Sequence, residues 1–159
     1  MSKEFSYPQF ENGVKVISRA GDAVNDMMMN ITAYRMEAGQ SLTFCHAAEE
    51  TAVLLILGEV TFQWNDRRET GQRNSFIEEG PHCLHVCRNV AVTVTAHTGS
   101  EVLVQSTEND REFAPVFYRP EDCRDDIFGL DVFDNKMKRT VRTVFDYRNA
   151  PYSNMVNGE

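Results

Sequence analysis

The stretch Ala52-Val-Leu-Leu-Ile-Leu57 decides the fold. It is apolar at both parities, so a strand running through it must be covered on both faces, as a central strand of a barrel or sandwich is. Gly58-Glu59 follows as a turn into Val60, Phe62 and Trp64, which alternate with Thr61 and Gln63 and read as a half-buried hairpin partner.

The same alternation extends in both directions, with short apolar runs punctuated by Gly, Asn, Asp and Pro. Strands are expected at about 14–19, 29–36, 41–45, 52–57, 60–64, 75–77, 83–87, 90–96 and 101–106, with Leu55, Leu57, Phe62, Val92 and Val94 buried. The polar run 65–74, with Arg67, Arg68 and Arg73, reads as a solvated hairpin loop. His97 is expected at the surface near a strand end. The reading is an all-β antiparallel barrel over 1–110 and an acidic connector over 111–138 with one short helix near Pro120. A strand and linker over 139–159 complete it, ordered from Thr140 to Phe145 through Val141, Thr143 and Phe145, and loose after Tyr152.

The composition narrows the function. The 159 residues carry a formal charge of −8, which gives a polyanion no reason to approach, so nucleic acid is not an expected partner. No apolar run is long enough to span a bilayer, and the start Met-Ser-Lys-Glu-Phe lacks the layout of a signal peptide, so no membrane partner and a cytoplasmic location are expected. Cys45, Cys83, Cys87 and Cys123 then read as small, partly buried thiols. There is no nucleophile elbow, phosphate loop or dinucleotide fingerprint.

Residues 39–58 have the frame of the first cupin motif, which presents metal ligands on adjoining strands, and this makes the expected barrel a cupin-type jelly roll. Counted from Gly39, however, the ligand positions hold Cys45, Ala47 and Thr51. A slip of one residue recovers His46 and Glu50, and Gly80-Pro81-His82 resembles the second motif. A slipped residue points to the other face of its strand unless a bulge re-aims it. His46, Glu50 and His82 are therefore the candidate metal ligands, with no metal expected on them. His85 lies in a strand and could face the barrel interior, but a hydrogen-bonded core or surface histidine is the default reading.

The segments 33–39, 50–58 and 92–96, and above all Arg139-Thr-Val-Arg-Thr-Val-Phe145, Arg148-Asn-Ala-Pro151 and Ser153 to Glu159, resemble the amino-terminal half of the 5-deoxy-glucuronate isomerase family. The resemblance implies a two-cupin isomerase of inositol catabolism that converts 5-deoxy-glucuronate to 5-dehydro-2-deoxy-gluconate. It implies that residues 139–159 lead toward a second cupin holding the divalent metal, and that this segment carries no catalytic residue of the family. The expected partner is a small sugar acid, and a homo-oligomer formed by strand addition is a further expectation. A free-standing metal-dependent cupin and a small-molecule-binding cupin are the alternatives.

Overall fold

In the computed structural model the described residues are 9–23 and 26–159. Residues 1–8, within the unit expected over 1–110 and covering the amino-terminal start read above, lie outside them. The strands are β1 (Val14–Ser18), β2 (Asn30–Met36), β3 (Ser41–Phe44), β4 (Glu49–Trp64), β5 (Arg67–Arg73), β6 (Cys83–Val86), β7 (Val92–Ala96), β8 (Ser100–Glu108), β9 (Val116–Tyr118), β10 (Arg124–Phe128), β11 (Arg139–Phe145) and β12 (Asn157–Gly158). A 3₁₀ turn at Pro120–Asp122 stands where a short helix was expected.

One strand organises the rest. The first half of β4 lies in the layer β1-β2-β8-β4-β6-β9, and its second half pairs with β7 and β5, with β3 beyond β7. All pairings are antiparallel. Val53 and Leu55 from the first half meet Phe62, Trp64, Val92 and Val94 from the second layer in one buried cluster. This is the cupin-type all-β architecture.

Gly58 therefore does not reverse the chain, as the sequence suggests, but bends a continuous strand. Its φ is +99°, and a Cβ there would fall 2.7 Å from Ser100 Cα and 2.8 Å from Gly99 O, so only glycine fits. The register against β8 shifts between Leu55 and Leu57, and the bulge turns Leu57 outward, where it is 41% exposed rather than buried. The reversal comes later, at Asn65 with its φ of +47°. The run read as a solvated loop is thus strand β5, paired in register from Gly58↔Arg73 to Trp64↔Arg67. The strand expected at 75–77 is a turn, with Phe76 and Ile77 exposed.

A second cluster covers the outer face of the first layer. Ala52 and Leu54 of β4 and Cys83 of β6 pack against Tyr118, Val144, Phe145, Ala150 and Met155. Strand β11, in the antiparallel set β10-β11-β12, supplies Val144 and Phe145, β9 supplies Tyr118, and the segment between β11 and β12 supplies Ala150 and Met155. The residues after Tyr152, expected to be loose, are held down. Asn154 Nδ2 donates to Glu108 O at 2.9 Å, Asn157 Nδ2 donates to Gln105, and Met155 and Asn157 are buried. The Thr140 to Phe145 strand is ordered and packed on the chain's own sheet.

Candidate functional site

Alternation along β4 sorts its polar residues. Thr51, Val53 and Leu55 share one face, from which Val53 and Leu55 enter the inner cluster; Glu50, Ala52 and Leu54 share the other and lie beneath the carboxy-terminal cover. Glu50 is fully out of solvent on that outer side. His82 lies on the inner side, against the Phe117 ring that packs on the inner cluster, with its own ring tight against Gly71. Burial pushes the His82 pKa down, and its Nδ1 has no partner among the described residues. His46 precedes β4, is 37% exposed, and approaches Glu49 rather than Glu50, at 3.5 Å.

The three candidate ligands are therefore not brought together. Among the described residues no group of three or more His, Cys, Asp or Glu side chains is placed to hold a metal ion. Where the unslipped motif frame would put an inward ligand stands Thr51, paired across the sheet with Ser106. Beside it the carboxylate of Glu49 is already occupied, accepting from Ser106 Oγ at 2.5 Å and Asn30 Nδ2 at 3.1 Å. The donor set does not fit the metal that the cupin frame implies.

What the fold does build is a buried polar node on the outer face. His85 of β6 is fully buried, and its Nε2 lies 2.9 Å from Glu50 Oε2. A carboxylate only accepts, so Nε2 carries the hydrogen of that bond. Glu50 Oε1 accepts from the Asn154 backbone N–H at 2.6 Å and from Ser153 Oγ at 3.2 Å. Burial raises the Glu50 pKa, but the hydrogen bonds from His85, the Asn154 N–H and Asn109, with the charge of His85, outweigh it and hold the carboxyl below its ordinary value. The imidazole is enclosed by the rings of Phe113, Phe145 and Tyr152. Of the core and surface positions the sequence leaves open, His85 takes the core one, hydrogen-bonded on the outer face of its sheet rather than toward the inner cluster.

A second node was missed. Arg73, fully buried at the end of β5, donates to Leu55 O at 3.1 Å, Phe76 O at 3.1 Å, Glu79 O at 2.8 Å and the Glu159 carboxylate at 2.5 Å. Arg142 of β11 reaches the same carboxylate at 3.1 Å. In sequence Arg73 is one arginine of three in a polar run, and only its strand position separates it from the exposed Arg67 and Arg68. Of the four free cysteines, Cys83 and Cys87 are buried, Cys123 is partly buried, and Cys45 is exposed at the end of β3, against the expectation of burial. His97 is exposed, as expected, with Nε2 2.7 Å from Thr61 Oγ1.

Comparison with known proteins adds the following. The KduI/IolB family model matches residues 5–159. The crystal structure of an IolB-like protein from Salmonella typhimurium LT2 superposes with a TM-score of 0.79 at 20% identity, covering 91% of this chain and 54% of that one. Protein Ylba from E. coli superposes with a TM-score of 0.59 at 8% identity, covering 92% of this chain and 57% of that one. A Schizosaccharomyces pombe Cnp3 cupin domain also matches, with a TM-score of 0.47 at 10% identity over 65% of this chain and 68% of that one. This chain spans little more than half the length of the first two. No curated protein matches it. No helix among the described residues is long and apolar enough to cross a membrane.

Proposed function

The chain belongs to the KduI/IolB family, and from that premise we propose that it is the amino-terminal, non-catalytic cupin of a two-cupin sugar-acid isomerase. The reaction is the conversion of 5-deoxy-glucuronate to 5-dehydro-2-deoxy-gluconate in inositol catabolism, a proton shift between adjacent carbons carried out in the cytoplasm. The divalent metal and the acid–base groups belong to a second cupin, toward which the Arg139 to Glu159 segment leads.

The observation that carries this reading is the division of His46, Glu50 and His82 between two faces of the β4 layer. A metal-held hydroxy-ketone needs convergent ligands with an open position and a base within hydrogen-bond reach of the migrating proton. Here Glu50, the one buried carboxylate of the three, has both oxygens occupied by His85, Asn154 and Ser153. The role assigned to this cupin is to present a sealed outer face, not to bind the sugar. The intact mass of the native gene product tests the half-protein assignment. A mass near twice that of this 18.1 kDa chain supports it, and a product that ends at Glu159 and isomerises the sugar acid refutes it.

A further inference from the structure

Two groups of contacts hold the carboxy-terminal cover in place. On the first layer, Asn154 donates to Glu108 O, Asn157 donates to Gln105, and Glu50 accepts from Ser153 and Asn154. The second group runs through two arginines. Arg142 N–H donates to Glu159 O at 2.8 Å and Glu159 N–H to Arg142 O at 2.9 Å. The Glu159 carboxylate then accepts from Arg142 of the cover at 3.1 Å and from Arg73 of β5 at 2.5 Å. One side chain thereby joins the cover to a strand of the second layer.

The 75–79 turn is folded around both guanidinium groups. Arg73 donates to Phe76 O and Glu79 O, and Arg142 to Ile77 O at 2.9 Å, so the carbonyls of the turn face the cations while the Phe76 and Ile77 side chains stay exposed. Carbonyl dipoles ease the burial of a guanidinium but carry no net charge. Among the described residues Glu159 is the one carboxylate within ion-pair distance of Arg73, which is fully buried. Without it a buried cation loses its counter-charge, a state that a fold relieves by opening or by taking up another anion. The place is reachable from solvent. The side chains of Arg142 and Glu159 are 20% and 23% exposed, while Arg73 closes the inner side. Paired guanidinium N–H groups match a planar carboxylate and give chloride no such fit.

We propose that Arg73 and Arg142 form a carboxylate receptor whose resident ligand is the Glu159 side chain, and that this contact is the latch of the carboxy-terminal cover. When the Glu159 carboxylate is absent the cover opens locally. A free small carboxylate that enters the receptor closes it again. The latch does not depend on the isomerase reading, because it is read from amide exchange and not from turnover.

Hydrogen exchange on the 159-residue chain and its Glu159→Ala variant tests it, each carrying a short Gly-Ser tail so that the terminal α-carboxylate stands clear of the receptor. In Glu159→Ala the amides of 139–145 are expected to exchange about tenfold faster or more, while Val102 and Val104 of β8 keep their rates. Acetate should restore protection to the variant in a saturable way, and sodium chloride at the same ionic strength should not. In the Glu159→Ala/Arg142→Gln chain the response to acetate should be lost. Unchanged exchange in Glu159→Ala, acceleration that reaches Val102 and Val104 equally, chloride as effective as acetate, or an acetate response that survives Arg142→Gln overturns the proposal.

Discussion

The imidazole of His85 lies flat against the Phe145 ring, with centroids 4.2 Å apart and planes 5° from parallel. One ring belongs to β6 in the first layer and the other to β11 in the carboxy-terminal cover, so the buried Glu50–His85 pair stays dry only while β11 is seated. Phe145→Ala removes that lid and leaves a cavity beside the buried hydrogen-bonded pair. A loss of about 3 to 5 kcal/mol is expected, read from the urea midpoint. A loss below about 1 kcal/mol would mean that the cover contributes little to closing the node.

Glu50 gives the pair a defined pH dependence. Its folded pKa lies below its ordinary 4.5, so the folded state takes up the proton less readily than the unfolded chain. The stability this confers is fully present above the ordinary value and is lost as pH falls through the folded one. Glu50→Gln keeps an acceptor for the Asn154 N–H but removes the titration. Unfolding free energies measured from about pH 6 down to pH 3 should fall less steeply for Glu50→Gln than for the wild type. Parallel curves would show that the acid sensitivity lies elsewhere.

Gly58→Ala tests the bend on which both layers depend. The new Cβ meets Ser100 and the Gly99 carbonyl at a φ of +99°, so the strand must shift against β8. A cost of about 2 kcal/mol or more is expected, with loss of protection in Val102 and Leu103 by hydrogen exchange. An unchanged exchange pattern and midpoint would show that the bend tolerates a side chain.

The candidate metal ligands make a further prediction. With His46, Glu50 and His82 divided between faces, added zinc, manganese or iron(II) should not raise the melting temperature through these residues. A metal-induced rise abolished by either His46→Ala or His82→Ala would contradict the arrangement.

The all-β architecture was legible because Ala52 to Leu57 is apolar at both parities, and Val92 and Val94 hold the single parity their burial requires. What misled was Gly58. In sequence a glycine followed by an alternating run signals a reversal as readily as a bend, and only the contact with Ser100, 42 residues downstream, separates the two. Leu57 and β5 were misplaced for that one reason. Arg73 could not be distinguished from its neighbours because its partners, Leu55 O and the Glu159 carboxylate, are brought together only by the folded chain. The site candidates fared similarly. The spacing of His46 and Glu50 fits a known motif, but face is set by strand parity, and the one-residue slip that recovered them also turned Glu50 away from the inner cluster.

Turnover measured side by side is the most direct test of the central claim. 5-Deoxy-glucuronate in deuterated water is followed by proton NMR with the purified 159-residue chain, and separately with the proposed two-cupin product that would continue beyond Glu159, each with and without added divalent metal. The account predicts no isomerisation or solvent exchange with the 159-residue chain under any metal condition, and metal-dependent isomerisation with the longer product. Metal-dependent isomerisation by the 159-residue chain, lost on His46→Ala, would contradict it and make this cupin a complete enzyme.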